Sequence, residues 1–250
     1  MSNAATVPAP NDLLCEGCGY TLNGLPTDSR CPECGKPIAE SIGAHRHGSS
    51  WEQSDEARSG FVATTRQVLF RTRDFFLHVT TRGSLGRAHD FARLHWIISS
   101  MLFTLALGGH MFWYVLRILG QGQSYEWHMY ARIAIFAGMI VIAPLCYLSN
   151  SLVTRLASKL TTMEATYRGY RLPYDVVLRA MYFHAAHYLP VALGAAVTTC
   201  GYGAAVERGW LGAETGTTYL YILCGEVVVA AFYLFETYWV AMRNIMYANR

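Results

Sequence analysis

Four long stretches of this chain are almost free of charge. Trp96 to Leu119 holds only Arg117, and Tyr130 to Thr154 only Arg132. Ala180 to Val206 holds none in 27 residues, and Thr217 to Met242 holds two acids, Glu226 and Glu236. A helix needs roughly 20 residues to cross ~30 Å of hydrocarbon, so each run is long enough. Four such runs with so little amphipathic patterning do not fit the buried helices of a soluble core. They predict a mainly α protein whose membrane domain, 96–250, is a four-helix transmembrane bundle with spans at about 96–119, 130–154, 180–206 and 217–242. Charged residues make up 15 % of the 250 residues, against ~25 % in an average soluble domain. That balance excludes a disordered chain and an ordinary cytosolic enzyme. The net charge of +3 is too small to argue for nucleic acid.

The part before the first run divides by composition. Residues 1–10 read as a disordered lead, 11–40 as a cysteine-rich module, 41–60 as a Gly/Ser/His linker and 61–95 as an amphipathic segment. No cleaved signal peptide is expected, since the first 60 residues contain no apolar stretch of the needed length. Lys and Arg then set the orientation. Ten precede Trp96, and Arg155, Lys159, Arg168, Arg171 and Arg179 lie between the second and third runs. The connection at 120–129 has none, and that at 207–216 has only Arg208. The positive-inside rule places both termini and the middle loop in the cytoplasm, as a multi-pass protein of the inner membrane.

The strongest chemical signal is Cys15-Glu-Gly-Cys18 followed, after twelve residues, by Cys31-Pro-Glu-Cys34. Each second cysteine precedes a glycine, Gly19 or Gly35. Two thiolates on a tight turn point at one ion, and two such turns give four sulfurs in a tetrahedron. That set suits one structural Zn²⁺, with iron as the minor alternative. The insert from Gly19 to Arg30 is long enough for a short hairpin that brings the turns together. A cytoplasmic location argues against two disulfides, and no βαβ pattern supports a redox C-x-x-C. All four ligands come from protein, so the site is closed and no catalysis is expected there. Residues 11–40 carry Asp12, Glu16, Asp28, Glu33 and Glu40 against Arg30 and Lys36. That sign argues against nucleic acid and favours a protein partner or a stability cap. Cys146, Cys200 and Cys224, one in each of three spans, read as small apolar packing residues.

The stretch from Phe61 to Val79 is amphipathic: Val62, Thr65, Leu69, Phe76 and Val79 form an approximate helical stripe, with Phe61, Val68 and Phe75 beside it. Arg66, Arg71 and Arg73 lie on or near the other side. The pattern fits a helix lying in the headgroup layer, or one packed on the cytoplasmic end of the bundle.

Within the spans four polar residues stand out. His184 and His187 share a face of the third run, and Glu236 lies at a matched depth on the fourth, so a His–Glu236 pair is expected. Glu226 sits near mid-membrane with no evident ion-pair partner. Such residues either tie helices together or mark a proton or ion path. The small-residue run from Ala192 to Ala205 suits close helix packing, and Pro144 and Pro190 are expected kink points.

The motifs H-E-x-x-H, G-x-x-x-x-G-K-[ST], G-x-G-x-x-G and G-x-S-x-G are all missing from the sequence. Leu14-Cys-Glu-Gly-Cys-Gly-Tyr-Thr-Leu-Asn-Gly-Leu-Pro26 with Cys31-Pro-Glu-Cys-Gly35 resembles a zinc ribbon found ahead of membrane domains in planctomycete-type bacteria. The stretch Thr64-Thr-Arg-Gln-Val-Leu-Phe70, then Phe75-Phe76 and several spans, is similar to the start of Yip1-like membrane proteins. The expectation is a non-enzymatic membrane protein in contact with the bilayer. Its ribbon serves protein interaction or membrane organisation, and a homo-oligomer is among the assemblies allowed. The alternative is a small transporter or proton-coupled channel using His184, His187, Glu226 and Glu236.

Overall fold

A computed structural model describes residues 8–9, 11–42, 46–54, 56–212 and 215–249. The expected disordered lead lies outside the described residues, apart from Pro8 and Ala9. The described chain is mainly helical: α1 (Ser50–Gln53), α2 (Ala57–Phe70), α3 (Thr72–His78), α4 (Leu85–Trp113), α5 (Tyr125–Tyr167), α6 (Tyr174–His184), α7 (Tyr188–Glu207) and α8 (Gly216–Ile245). Its β pairing is limited to isolated bridges.

Four helical stretches are long and apolar enough to cross a membrane: Leu85–Leu116, Tyr125–Tyr167, Tyr174–Glu207 and Gly216–Ile245. Each contains most of one run read from the sequence and extends beyond it. The 43 residues of α5 measure about 64 Å, twice the hydrocarbon thickness, so its turns with Arg155, Lys159 and Glu164 extend past the apolar run. The third stretch is broken by a tight 3₁₀ turn, Ala185–His187. Pro190 follows in the first turn of α7, where its missing N–H leaves Ala186 O without the usual helical donor. Pro144, by contrast, is carried inside a continuous α5.

The chain clusters into two compact units. One comprises 1–92, 153–186 and 236–250; the other comprises 93–152 and 187–235.

The second unit has the character of a membrane bundle. Large apolar side chains such as Ile133, Phe136, Ile140, Val141, Val228, Val229 and Phe232 are exposed along its helices. An outward apolar surface of this extent fits lipid and not water. Its interior is joined by aromatic rings and isolated polar bonds. Trp113, Tyr202 and Tyr219 pack edge-on and stacked, with Tyr202 and Tyr219 centroids 4.2 Å apart. His110 Nδ1 bonds Tyr219 OH at 3.0 Å, and Asn150 donates to Ser99 Oγ and Ser100 Oγ at 3.3 and 3.1 Å.

The first unit has a different core, made of aromatic side chains and buried charges. Trp51, Phe61, Phe91, Phe183 and Phe75 form a chain of ring contacts. The stretch read as a linker supplies part of this core. Trp51 is buried, its backbone N–H donates to Thr64 Oγ1 at 2.8 Å, and its indole N–H donates to Arg87 O at 2.7 Å. Glu52 caps α1 through Ser49 and pairs with Arg179 at 2.5 and 2.6 Å. The described part of 41–60 is therefore an anchored segment; its Gly/Ser/His composition concealed the one tryptophan and one glutamate that fix it.

The stripe expected from Phe61 to Val79 also changes. Arg71, at φ −136° and ψ 44°, ends α2 and starts α3, which resets the helical phase. The buried face of α2 is Thr64 and Val68, while Val62 is 59 % exposed. Phe75, Phe76 and Val79 are buried from the next element.

The Glu52–Arg179 side chains are 10 % and 5 % exposed, so neither charge has water as an alternative partner. Replacing Glu52 with Gln should lower stability by about 3 kcal/mol, because it leaves a buried guanidinium half-paired. Glu52→Leu combined with Arg179→Met should recover most of that loss. Thermal midpoints in detergent check this; a midpoint unchanged in Glu52→Gln would show that the pair contributes nothing.

Candidate metal centre

Residues 13–22 and 29–38 adopt the same local structure, sixteen positions apart. Cys15 N–H donates to Tyr20 O and Cys31 N–H to Lys36 O, both at 2.8 Å. Gly19 N–H returns to Cys15 O, and Gly35 N–H to Cys31 O. Leu14 bridges Thr21, and Arg30 bridges Pro37. Both loops turn back on a glycine with positive φ, +81° at Gly19 and +71° at Gly35, a conformation that a Cβ disfavours. Leu22 and Ile38, at equivalent positions, pack beneath the sulfurs with Cys15 and Cys31.

Each knuckle is thus its own small hairpin. The expected hairpin inside the Gly19–Arg30 insert is not what joins them; that stretch turns through Leu25 N–H to Leu22 O and Ser29 N–H to Pro26 O. The sixteen-residue repeat was available in the sequence, but only the backbone bonds give it meaning.

The four Sγ atoms all lie within 4.8 Å of one another. Cys15 Sγ and Cys34 Sγ are 3.5 Å apart, and Cys18 Sγ and Cys31 Sγ 3.6 Å. Tetrahedral metal–sulfur bonds of about 2.3 Å place sulfurs about 3.8 Å apart, so the cage fits a metal ion of that size. A disulfide needs about 2.05 Å, and none is formed. Burial opposes charging of the Cys18 thiol and pushes it up. At Cys31 the same penalty is outweighed by the N–H groups of Cys34 and Glu33 and by the neighbouring thiols of Cys18 and Cys34, which bring it down to about 7. Crowded thiols resist ionising together, and a divalent cation at their centre removes that conflict. The four cysteines form a site able to hold a metal ion.

Among the described residues, the hydrogen bonds to the C-terminal segment come from the first knuckle. Asn249 holds both backbone groups of Leu14, accepting from its N–H at 2.8 Å and donating to its C=O at 2.7 Å. Asn249 also donates to Ser41 O at 2.7 Å. Glu16, between the first two ligands, pairs with Arg46 at 3.1 and 3.2 Å. Arg46 in turn donates to the carbonyls of Phe76, Val79 and Asn244. The Tyr247 ring lies against Gly19, where a Cβ would approach it to 2.5 Å. Pro32, Glu33, Cys34 and Gly35 of the second knuckle are exposed.

Among the described residues, both intramembrane histidines meet hydroxyl groups. His184 Nε2 meets Thr237 Oγ1 at 2.9 Å in the first unit, and His187 Nδ1 meets Tyr233 OH at 2.7 Å in the second. Glu236 is exposed on α8, so the expected His–Glu236 pair is not formed. Matched depth along an axis does not fix the angle around it: at ~100° per residue, Glu236 lies about 100° from its neighbour Thr237. Glu226 is bonded instead by the hydroxyl of Thr198 to Oε1, while its Oε2 is buried with no partner among the described residues. In sequence Thr198 reads as packing, a hydroxyl within a small-residue run. Cys146 and Cys200 are half-buried and Cys224 is exposed on its helix, all as free thiols.

Comparison with protein-family models, with curated proteins and with solved structures gives no match for this chain.

Two variants test these contacts. Gly19→Ala should loosen the first knuckle from Tyr247, seen as faster backbone hydrogen exchange at 246–249, because it introduces both a strained φ and a clash with the ring. Unchanged exchange would sink the docking of this knuckle on Tyr247. For the carboxylates, Glu226→Leu should lower the thermal midpoint more than Glu236→Leu, and Glu226→Gln should be milder than Glu226→Leu, since Gln keeps an acceptor for Thr198. The expected differences are on the order of 1 kcal/mol. Equal midpoints for Glu226→Leu and Glu236→Leu would show that the Thr198–Glu226 bond contributes nothing.

Proposed function

We propose that this chain is a non-enzymatic, multi-pass inner-membrane protein whose N-terminal ribbon holds one structural Zn²⁺ and presents a rigid surface to a protein partner. Zinc is favoured by four thiolates, a closed coordination shell and a reducing compartment. The observation that carries the reading is the division of labour between the knuckles. One is built into the C-terminal segment by Asn249, Arg46 and Tyr247, and the other leaves Pro32, Glu33 and Cys34 exposed. A site that served folding alone has no need of an exposed half. The acidic balance of 11–40 points to a partner surface of opposite sign. The resemblance to zinc ribbons ahead of bacterial membrane domains supports the same reading, as does the Yip1-like start of the segment after it.

Lysine and arginine counts orient the chain with both termini and the 155–179 connection in the cytoplasm. Reporter fusions at Gln123 and Gly212 should read as external, and at Lys159 as cytoplasmic; a cytoplasmic signal at Gly212 contradicts the orientation. A photo-crosslinking residue at Glu33 should capture a partner in intact cells, whereas one at Glu16 should not, and chelation should abolish the Glu33 product. Equal capture from both positions would overturn the assignment of the free face.

A second reading, proton-coupled transport, is carried by Glu226 Oε2, a buried acceptor with no partner among the described residues. A proteoliposome proton-flux assay tests it. Flux that disappears in Glu226→Gln while the protein stays folded would replace the interaction reading.

A further inference from the structure

A cavity of about 140 Å³ opens in the first unit where α2 gives way to α3, lined by His47, Ser49, Gln67, Arg71, Asp74, Phe75, His78 and Val79. The chain holds its two histidines in place by backbone pairing. His47 N–H donates to His78 O and Thr80 N–H to His47 O, both at 2.8 Å, across the His47–Val79 bridge. The two rings lie nearly parallel, 7° apart, with centroids 6.5 Å from each other.

The chemistry of the rim is divided into acceptors and donors. A carbonyl only accepts, so His47 Nδ1–H donates to Gly48 O at 3.1 Å, and His78 Nδ1–H donates to Asp74 O at 2.9 Å with Asp74 Oδ1 at 3.2 Å. In the neutral rings this leaves both Nε2 atoms as acceptors, and neither has a partner among the described residues. With the Asp74 carboxylate they form an acceptor set. The Arg71 guanidinium and the Gln67 amide, also without side-chain partners among the described residues, form a donor set. Phe75 and Val79, both buried, supply an apolar floor.

An inorganic anion matches only the donors, and a metal ion only the acceptors. A small group with an anion at one end and an ammonium at the other matches both: phosphate oxygens on Arg71 and Gln67, and ammonium hydrogens on Asp74 and the two Nε2 atoms. The surroundings point to the membrane as its source. Phe70, one residue before Arg71, is 80 % exposed, and Val62, two turns earlier on the same face, is 59 % exposed with Arg66 between them. Exposed apolar residues beside arginines suit the headgroup layer. The helix carrying the first apolar run starts at Leu85, a short connection after His78.

We infer that this cavity binds the amino-phosphodiester headgroup of an ethanolamine-type phospholipid. The site is independent of the ribbon and of its proposed partner. The test uses the full chain, delipidated in detergent and titrated in turn with phosphatidylethanolamine, phosphatidylglycerol and phosphatidylcholine, with bound lipid read by native mass spectrometry. The ethanolamine lipid should bind roughly tenfold tighter than the other two, because glycerol has no charge for Asp74 and a trimethylated amine has no hydrogens to donate. Arg71→Gln should lose that binding, and Asp74→Asn should erase the preference over phosphatidylglycerol. Unchanged far-UV circular dichroism and thermal midpoints verify that both variants fold. Equal binding of the three lipids, or equal retention by Arg71→Gln and the parent, would overturn the proposal. Soluble glycerophosphoethanolamine and Phe70→Ser separate the sources. Lipid binding weakened by Phe70→Ser supports the bilayer as source. A soluble headgroup bound as tightly as the lipid, with Phe70→Ser neutral, rejects it.

Discussion

The structure turns on a constraint set by sulfur. Four thiols within 4.8 Å of one another are held by two backbone hairpins with a core of only a few apolar side chains, among them Leu13, Leu22, Leu25 and Ile38. So small a core does not order thirty residues by hydrophobic burial alone. A metal ion held by the four thiols would supply the missing cross-link, and its binding energy would become folding energy of this segment. The contacts between the ribbon and the C-terminal segment depend on that order. Leu14, Glu16 and Gly19 flank the first two ligands, and these same residues meet Asn249, Arg46 and Tyr247. An unfolded ribbon would leave Arg46, whose side chain is 6 % exposed, without its carboxylate.

The membrane-type unit follows a different physics. Hydrocarbon forbids unsatisfied backbone, so its elements are helices, and it offers no hydrophobic drive between them. Ring packing and single polar bonds take over that role, as in Tyr219 with His110 and Glu226 with Thr198. Gly108 serves close approach, with the Met139 side chain where a Cβ would sit. His187 likewise meets the hydroxyl of Tyr233 on α8, a neutral partner.

The four-cysteine cluster and the four apolar helices were legible because each rests on a local rule, cysteine spacing in one case and run length in the other. The contacts that organise the first unit were not. Arg179 and Arg46 enter an orientation count as two cations among twenty, yet both are buried in ion pairs with acids 127 and 30 residues away. Trp51 and Glu52 sit in a stretch whose Gly and Ser content reads as linker. The amphipathic stripe failed at one residue, because the backbone break at Arg71 cannot be seen in side-chain periodicity. The His–Glu236 pairing failed because depth in a membrane is readable from sequence and azimuth is not.

We propose that four cysteine sulfurs hold one zinc ion, and through it the first knuckle's grip on the C-terminal segment. X-ray absorption at the zinc edge, on protein purified without chelator and with its metal content measured, tests this most directly. The expected result is one zinc per chain surrounded by four sulfurs at about 2.3 Å and no nitrogen or oxygen neighbour. Protein without bound metal, a mixed shell, or Cys15, Cys18, Cys31 and Cys34 paired as disulfides would contradict it.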